Sequence, residues 1–350
     1  MTTVRWECFP LVAQSTLARS WLELQANLGR SPNTITAYGR GAEDYLRFCA
    51  ARAVEWSTAT REHVGHYVQD LRTRTNERPT RAYRARDGIV PGLSNATVQQ
   101  RLTAVRLLYD HLLEDAMRPD NPVGRGRYTP HQGYGGNSAR GLVPTVHKLP
   151  WIPTEVQWQA ILEAARSERL RNRFMLALAY DAALRREELC LLATGDVDPT
   201  YRLLRIRAET TKSRRERVVP YSVATGHLYE AYLAERRTKS RSRGPLFLSE
   251  SPRNRAAPIT FWTWSKVIAR LGQAAGVPAL TTHTLRHLCL TDLARAGWDI
   301  HEIALFAGHR NPQTTLRYIH LSGRELQAKI ERGLAALHDW RGQLTGELLA

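Results

Sequence analysis

The sequence is poor in cysteine and methionine and contains no long hydrophobic run. Its four cysteines, Cys8, Cys49, Cys190 and Cys289, are widely spaced and form no C-x-x-C pair. This spacing predicts neither a disulfide framework nor a zinc ribbon, and it favours a reducing compartment with most of the thiols in apolar surroundings. The longest strongly apolar run, residues 174–180, is much shorter than the roughly 20 residues that a membrane span requires. We therefore expect no membrane-spanning helix.

Acidic residues are also scarce relative to basic ones. The chain has 50 Lys and Arg residues against 33 Asp and Glu, which gives a formal net charge of +17 and a pI near 10.2. Such an excess predicts a polyanionic partner, although a generally arginine-rich proteome would give the same composition. An anionic membrane surface is a weaker alternative, because no basic amphipathic helix with a Trp and Leu face stands out.

The residues that are present indicate two globular domains, the first of them helical. The 350 residues are 43% hydrophobic, which is enough for two ordinary cores. Apolar residues at helical spacing predict a helical bundle over residues 1–124, with one helix starting after Ser31, one across 61–71 and one starting near Asn95. Residues 125–150 are rich in Gly, Pro and basic residues and are typical of an interdomain linker.

The second domain, residues 151–350, is predicted to be mixed, so the whole chain is mostly α with a small β-sheet. Thr154 and Gln157 form a T-x-x-Q capping box at the head of its first helix. Short strands are expected at 203–207, 217–220 and 244–249. Further helices are expected at 172–182, 183–192, 261–276, 283–296, 300–307 and 325–340.

An irregular basic stretch interrupts the first domain between residues 72 and 94. Pro79, Gly88, Pro91 and Gly92 act there as breakers of regular structure. Two interpretations are open: a set of phosphate contacts on DNA, or a solvated loop. The candidate DNA-binding arginines of this stretch are Arg72, Arg74, Arg78, Arg81, Arg84 and Arg86.

Four segments of the second domain carry residues suited to chemistry at a phosphate. In chain order they are A-L-R-R-E-E-L with Arg185, T-K-S-R-R-E-R-V-V-P with Lys212, H-T-L-R-H with His283 and Arg286, and A-G-H followed by Y-I-H with His309 and Tyr318. A phenol has a pKa of about 10 and needs activating neighbours, and charge that develops on phosphorus oxygens needs cations. Taken singly, each segment is more often a packing, capping or surface motif.

In this order and with this spacing, the four segments resemble the tyrosine recombinase (phage integrase) family. The likeness covers residues 151–334 closely, and S-P-N-T-x-x-x-Y with the helix at 97–113 extends it to the first domain. The resemblance implies a helical core-binding (SAM-like) domain and a mixed α/β catalytic domain that form a C-shaped clamp around DNA. It also implies strand breakage with neither a metal nor any other cofactor.

Family positions that handle the phosphate fall on residues of this chain. The resemblance implies that Arg185 and Arg286 clamp the non-bridging oxygens of the scissile phosphate, which suits the bidentate geometry of guanidinium. His309 matches the position that hydrogen-bonds a phosphate oxygen. Glu188 fits a structural acid that holds the neighbourhood of Arg185, and His287 fits a supporting helix residue rather than a catalyst.

The remaining family positions handle the protons and the covalent step. Tyr318 would become a 3′-phosphotyrosine, and His283 matches the position associated with accepting its proton. Lys212 would protonate the departing 5′-hydroxyl. Basic residues crowd its hairpin, so Arg214 or Arg215 could shift the register, and both are also candidate DNA contacts.

Two positions depart from the family pattern near Arg185. Ala183 stands where the family often has Gly, and Arg186 stands where a smaller or apolar residue is common. Neither change removes a catalytic group, so they bear on the geometry of the turn rather than on activity.

The function implied by the resemblance is site-specific recombination of double-stranded DNA by four protomers on two sites, through a Holliday junction, for integration, excision or transposition of a mobile element. A cytoplasmic, nucleoid-associated protein is expected, and accessory proteins cannot be inferred. The tail at 325–340, with an apolar face, would dock onto a neighbouring protomer or onto its own domain.

Three other functions are open on sequence grounds. A type IB topoisomerase uses similar phosphate chemistry as a monomer, although the separate helical domain favours a recombinase. A non-catalytic DNA-binding regulator is opposed by the complete basic set and its tyrosine. A metal-dependent hydrolase would use His283, His287 and His309, although no H-E-x-x-H pattern is present.

Overall fold

The computed structural model describes residues 3–74, 92–123, 142–143, 149–311 and 313–321. The chain divides into two compact units, Met1–Lys148 and Leu149–Ala350, and each has its own hydrophobic core. The predicted linker lies almost entirely outside the described residues. Within the described part of the chain, no helix is long and apolar enough to cross a membrane.

The first unit is helical, as predicted. Its helices are α1 (Pro10–Gln14), α2 (Thr16–Asn27), α3 (Pro32–Ala51), α4 (Arg61–Thr73) and α5 (Asn95–Glu114). The predicted starts of α3 and α5 are confirmed: the hydroxyls of Ser31 and Ser94 accept hydrogen bonds from the amides of Thr34 and Thr97. Helices α1 and α2 fall within the predicted helical bundle, although no bounds were predicted for them.

Helices α3 and α5 cross closely in the first core. A Cβ on Gly41 would lie 2.7 Å from the Cβ of Ala104, so only glycine fits at this crossing. The Tyr109 hydroxyl donates to the Trp56 carbonyl at 2.5 Å, and the Tyr45 hydroxyl lies 2.7 Å from that of Tyr109. Because the carbonyl can only accept, Tyr45 is the donor to Tyr109, and both buried phenols have partners.

The second unit combines helices with a three-stranded sheet. Its helices are α6 (Glu155–Ala165), α7 (Leu170–Asp181), α8 (Arg186–Cys190), α9 (Val223–Lys239), α10 (Phe261–Ala274), α11 (Thr282–Arg295), α12 (Ile300–Ala307) and α13 (Gln313–Leu321). The strands β1 (Val197–Asp198), β2 (Leu203–Ile206) and β3 (Arg217–Pro220) form an antiparallel sheet in the order β1-β2-β3. In its register, Leu204 is opposite Val219 and Ile206 is opposite Arg217.

Two of the three predicted strands are confirmed as β2 and β3. The prediction of a strand at 244–249 is wrong, because this segment forms only isolated bridges, from Pro245 to Ala193 and from Leu248 to Pro258. The third strand is the two-residue β1, which is too short to give an alternating pattern. The predicted helix at 325–340 lies outside the described residues.

A small apolar cluster brings together the turn after α7 and three helices of the second unit. Ala183, Leu290, Ile303, Ala307 and Tyr318 are buried together there, from the turn after α7 and from α11, α12 and α13. This packing brings the carboxyl end of α12 next to the middle of α11. The segments that carry Arg185, Arg286, His309 and Tyr318 therefore converge at one place.

Candidate active site

Arg185 lies at the head of α8, after a tight turn. Ala183 has a φ of 45°, in the left-handed region, and Arg185 is the N-cap residue. The Arg185 guanidinium donates to Oε1 of Glu188 at 2.7 Å, and its backbone amide donates to Oε2 at 3.0 Å. Its side chain is 24% exposed, whereas that of Glu188 is 1% exposed. The buried Glu188 therefore fixes the orientation of the Arg185 side chain, and the exposed part of Arg185 remains accessible to a ligand.

Glu188 has a second cationic partner, Arg217, which the motifs did not single out. Arg217 NH2 donates to Oε2 at 2.7 Å and its NH1 donates to Oε1 at 3.2 Å. Burial by itself would raise the pKa of Glu188, but the hydrogen bond and charge of Arg217, with the charge of Arg185, lower it to about 2. The sequence did contain a signal that Arg217 is buried. Side chains alternate along a strand, so Arg217 lies on the same face of β3 as the buried Val219.

Arg286 lies in the middle of α11 and is 3% exposed. It donates through NH1 to the Ala183 carbonyl at 2.6 Å and through NH2 to the Ala307 carbonyl at 2.7 Å. Helix α12 ends at Gly308 with a φ of 63°, and its last carbonyls face these guanidiniums. Arg185 NH2 also approaches the Gly308 carbonyl at 3.5 Å. Burial, and then the charge of Arg185, lower the pKa of Arg286 to about 10, so it remains charged at neutral pH.

His309 is held between Arg286 and Thr315. Its Nε2 lies 2.9 Å from NH2 of Arg286, and its Nδ1 lies 2.9 Å from Oγ1 of Thr315. Because a guanidinium can only donate, Nε2 is the acceptor and the ring proton is on Nδ1. Burial, and then the charges of Arg286 and Arg185, lower the pKa of His309 to about 3, so the ring is neutral. Before Nε2 can donate a hydrogen bond to a phosphate oxygen, the phosphate must replace Arg286 as its partner, and Nε2 must gain a proton.

Tyr318 lies on α13 and is 3% exposed. Its ring is nearly parallel to that of His309, with centroids 6.1 Å apart and an interplanar angle of 7°. Its hydroxyl lies 3.0 Å from Nδ1 of His287. His287, which was expected only to support the helix, thus contacts the oxygen of the predicted nucleophile.

His283 lies in the first turn of α11, with its ring centroid 6.4 Å from that of His287. His283 is exposed to solvent. The partial withdrawal of the ring from water lowers its pKa, and the charges of Arg186, Arg286 and Arg185 lower it further. The partial burial and the neighbouring cations therefore both disfavour the protonated form of this imidazole.

Lys212 is exposed in the connection between β2 and β3. Its neighbours Thr211 and Ser213 are buried, and their hydroxyls lie 2.8 Å apart, so the connection is anchored on either side of the lysine. Arg214, with a φ of 52°, and Arg215 are also exposed there. All three cations face solvent, and the geometry of the free protein does not separate Lys212 from its neighbours.

The candidate DNA contacts of the first unit differ in their surroundings. Arg72 is exposed on α4. Arg74 instead donates to Asp44 at 2.6 Å and lies 3.6 Å from Asp70. Burial by itself would raise the pKa of Asp44, but hydrogen bonds from Arg74 and Tyr67 and nearby positive charges lower it. Arg74 is therefore engaged in an internal ion pair. The other candidates, Arg78, Arg81, Arg84 and Arg86, lie outside the described residues.

The site as a whole has surplus positive charge. Arg185, Arg217 and Arg286 surround a single carboxylate, Glu188, and His309 is neutral. Two positive charges remain uncompensated among these groups, beside a buried phenol. Such an arrangement suits the binding of a phosphodiester and the stabilisation of the extra negative charge of a pentacoordinate transition state. Among the residues that the structure describes, no three His, Cys, Asp or Glu side chains form a group that would hold a metal ion.

Comparison with known proteins agrees with this geometry. The model of the phage integrase family matches residues 153–325, and that of the phage integrase N-terminal SAM-like domain matches residues 18–115. Tyrosine recombinase XerC of Pelobacter propionicus is 28% identical over 320 residues, which are 89% of this chain and 92% of the relative. Tyrosine recombinase XerD of Caulobacter vibrioides is 29% identical over 324 residues, 88% of this chain and 93% of the relative.

Solved structures share the fold at lower identity. The XerH site-specific recombinase bound to a palindromic difH substrate has a TM-score of 0.65 at 17% identity, covering 93% of this chain and 87% of that one. The Tn1549 transposon integrase in complex with transposon right end DNA has a TM-score of 0.63 at 17% identity, covering 91% and 99%. The chain belongs to the tyrosine recombinase family of enzymes that break and rejoin DNA.

Proposed function

We propose that this protein cleaves one DNA strand at a time through a covalent 3′-phosphotyrosine on Tyr318 and completes recombination through a Holliday junction. The observation that carries the proposal is the packing of Tyr318 beside Arg286 and His309, with Arg185 nearby. Three cationic or hydrogen-bonding groups next to one phenol supply what a phosphodiester requires for attack. No metal enters the proposed reaction.

In the proposed cleavage step, the phosphate displaces the carbonyl and histidine contacts of Arg185 and Arg286. The phenolic oxygen of Tyr318 bonds to phosphorus, and the bond from phosphorus to the 5′-oxygen breaks. Lys212 gives its proton to that oxygen, because it is the exposed lysine of the motif and its connection lies beside the buried Arg217. The family pattern assigns the proton of Tyr318 to His283.

Rejoining reverses these steps with a different 5′-hydroxyl. The covalent bond to Tyr318 conserves the energy of the phosphodiester, so no nucleotide cofactor is consumed. Four protomers on two DNA sites, each clamped around duplex DNA by both domains, would bring the exchanging strands together. The net charge of +17 supports a DNA partner held largely through phosphate contacts.

For the biological setting we propose the movement of a mobile element by integration, excision or transposition. The match to the phage integrase family supports this setting. The curated relatives, named XerC and XerD, are tyrosine recombinases too, and they support recombination between paired sites. Once the target site is known, a plasmid with two copies of it reports deletion or inversion of the segment between them, and a pair of plasmids with one copy each reports insertion.

The experiment that tests the chemistry traps the covalent intermediate. Purified protein is incubated with a pool of nicked suicide duplexes with randomised arms, in which the cleaved fragment diffuses away and rejoining fails. We expect a denaturation-resistant protein–DNA band with the wild type, and none with Tyr318→Phe. Sequencing of the trapped DNA identifies the target. A band that persists in Tyr318→Phe would overturn the assignment of the nucleophile.

The same purified protein can be used to distinguish a recombinase from a topoisomerase, a metal-dependent hydrolase and a non-catalytic regulator. Relaxation of a supercoiled plasmid that lacks paired sites would indicate a topoisomerase, whereas a recombinase requires the recovered site. Cleavage that survives EDTA excludes the metal-dependent hydrolase. DNA binding without any covalent product from the wild type would identify a non-catalytic regulator.

A further inference from the structure

Thr315 is fully buried on α13 and contacts His309. Its Oγ1 lies 2.9 Å from Nδ1 of the imidazole, and no part of the residue is exposed to solvent. Tyr318 follows three positions later on the same helix, so both residues lie on one helical face. The ring of Tyr318 stacks on that of His309, and Thr315 holds one edge of the same ring. Helix α13 therefore carries the phenol and also fixes the imidazole beside it.

The hydrogen bonds of His309 must change direction when a phosphate binds. In the free protein the guanidinium of Arg286 donates to Nε2, so Nδ1 carries the ring proton and the hydroxyl of Thr315 accepts it. An ionised phosphate oxygen can only accept, so Nε2 must then carry a proton. Two arrangements provide it: a cationic ring with a proton on each nitrogen, or a neutral ring whose proton has moved to Nε2 and whose Nδ1 has become an acceptor.

The charges around His309 favour the neutral ring. Burial, and then the charges of Arg286 and Arg185, lower its pKa to about 3. Three guanidiniums, those of Arg185, Arg217 and Arg286, face the single carboxylate of Glu188. A bound phosphodiester adds one negative charge, so the site keeps an excess of positive charge beside the ring. A second proton on the imidazole therefore stays unfavourable after the phosphate has bound.

A hydroxyl is suited to both states of the neutral ring, because it has one donor and two acceptor sites and rotates about its C–O bond. We propose that Thr315 is a positioning residue that acts through His309. Its hydroxyl accepts from Nδ1 in the free protein and donates to Nδ1 when a phosphate is bound, so that the neutral ring donates from Nε2 to a non-bridging oxygen. This inference rests on the function proposed above, in which His309 contacts the phosphate.

The exchange leaves the number of protons on the ring unchanged. As Arg286 turns from His309 to the phosphate, Nε2 takes a proton from water and Nδ1 gives one to water. The ring is partly exposed, which allows this exchange with solvent. An aliphatic side chain at position 315 could fill the same space, but it would leave Nδ1 without a partner in both states.

The kinetic test uses the full-length protein, the duplex recovered from the trap and single-turnover rates of covalent complex formation. Thr315→Val keeps the shape of the side chain and removes the hydroxyl, whereas Thr315→Ser keeps the hydroxyl. Thr314→Val is the matched control, because Thr314 is the exposed neighbour on α13. We expect Thr315→Val to slow cleavage about tenfold with unchanged DNA affinity, as for the loss of one hydrogen bond. Thr315→Ser and Thr314→Val should cleave within about twofold of the wild-type rate.

A double variant tests whether Thr315 acts through His309. His309→Phe keeps an aromatic ring beside Tyr318 and removes both nitrogens, and we expect it to slow cleavage about 100-fold. Adding Thr315→Val to His309→Phe should slow cleavage by less than about twofold more, because the hydroxyl then has no imidazole to orient.

NMR of isotope-labelled histidine reports the protonated nitrogen directly. The spectra are recorded on Tyr318→Phe, which keeps the aromatic ring but forms no covalent bond, both alone and bound to the uncleaved duplex. The signals that disappear in His309→Phe are those of His309. We expect the proton on Nδ1 in the free protein and on Nε2 in the complex, with the other nitrogen unprotonated in each state.

Several results would overturn the proposal. Protons on both nitrogens in the complex, or a proton that stays on Nδ1, would exclude the exchange. A wild-type rate in Thr315→Val, or a Thr315→Ser as slow as Thr315→Val, would remove the hydroxyl from the reaction. Independent losses in the double variant would show that Thr315 does not act through His309.

Two further controls keep these results distinct. Thermal unfolding identifies a Thr315→Val protein that is slow because it is misfolded, and the NMR experiment decides the proposal without that variant. Failure of the proposed function is also recognisable, because then the wild type would form no covalent complex at all.

Discussion

Arg217 holds Glu188 by two hydrogen bonds of 2.7 and 3.2 Å, and both side chains are buried. Glu188 in turn binds the side chain and the amide of Arg185. A Cβ on Gly308 would lie 3.0 Å from NH1 of Arg217, so the same guanidinium also packs against the turn before His309. Arg217 therefore joins β3, the turn at Arg185 and the end of α12, which are three segments of the active site.

Loss of Arg217 should destabilise the protein strongly. In Arg217→Met the carboxylate of Glu188 stays buried without its two-point partner, which typically costs about 3–5 kcal/mol. We expect urea denaturation to show this decrease, together with slower cleavage because Arg185 loses its orientation. Arg205→Met is the matched control, because Arg205 forms an exposed pair with Glu216 at the surface of the same sheet. Equal unfolding midpoints for the two variants would contradict the buried role of Arg217.

The acid sensitivity of the fold should depend on Glu188. Its pKa is about 2 in the folded protein against an ordinary value of 4.5. A lowered carboxyl pKa gives stability that is fully present above about pH 4.5 and is lost as the pH falls toward 2, here about 3 kcal/mol in all. His309 adds a separate loss that begins below its ordinary pKa of 6.5, because protonation of its buried ring is unfavourable.

The measurement is the free energy of unfolding in urea at a series of pH values, with NMR titration of the Glu188 carboxyl carbon. Glu216→Gln should change the acid limb much less than Glu188→Gln, because Arg205 also lowers the pKa of Glu216 but this pair is exposed and screened by solvent. In Glu188→Gln, the free energy of unfolding should no longer fall below pH 4.5 by the amount that this carboxyl contributes. Titration of Glu188 near its ordinary value in the folded protein would show that Arg217 and Arg185 do not stabilise its ionised form.

Lys212 should be dispensable when the leaving group needs no proton. A duplex with sulfur in place of the bridging 5′-oxygen releases a thiolate, which is a far better leaving group than an alkoxide. We expect Lys212→Ala to cleave the ordinary duplex at least about 100-fold more slowly than the wild type, and to cleave the sulfur duplex at nearly the wild-type rate. Single-turnover formation of the covalent complex measures both rates.

Arg214→Ala and Arg215→Ala are the matched controls for this lysine, since all three cations are exposed in one connection. Each control should weaken DNA binding without a difference between the oxygen and sulfur duplexes. If the sulfur duplex rescued Arg214→Ala or Arg215→Ala rather than Lys212→Ala, Lys212 would not be the proton donor.

The sequence predicted the fold well wherever local signals were strong. Ser31 before Pro32 predicted the start of α3, and helical spacing predicted a start near Asn95 for α5 and an end at residue 307 for α12. The two-residue β1 gave no pattern, and the bridges at 244–249 depend on partners distant in sequence. Elements set by tertiary contacts were therefore the ones that the sequence did not predict.

The candidate site shows the same division. Family motifs indicated Arg185, Arg286 and Tyr318, and these side chains do converge. The contacts of Arg217 with Glu188 and of His287 with Tyr318 join residues 29 and 31 positions apart, so no spacing rule reveals them. Arg74 lies in a basic stretch for which DNA contact was one of two interpretations; in the free protein its guanidinium pairs with Asp44, and contact with DNA stays a prediction.

The left-handed backbone of Ala183 explains how alanine occupies a turn where the family often has glycine. A non-glycine residue with a φ of 45° is strained by about 1 kcal/mol. Its buried methyl group contributes about 0.8 kcal/mol, which offsets most of that strain. We therefore expect Ala183→Gly to lower the free energy of unfolding by only about 0.5 kcal/mol, since the relieved strain offsets most of the lost methyl burial and of the flexibility of glycine.

The neighbouring Ala182 is the control for this balance. It is equally buried but has an ordinary φ of −98°, so Ala182→Gly loses the methyl group and gains no relief from strain. We expect it to cost about 1.5 kcal/mol in urea denaturation, from the lost burial and the flexibility of glycine. Cleavage should survive in Ala183→Gly, because the substitution removes none of the side chains that take part in the proposed reaction. Equal losses of stability in the two variants would mean that the turn before Arg185 stores no strain.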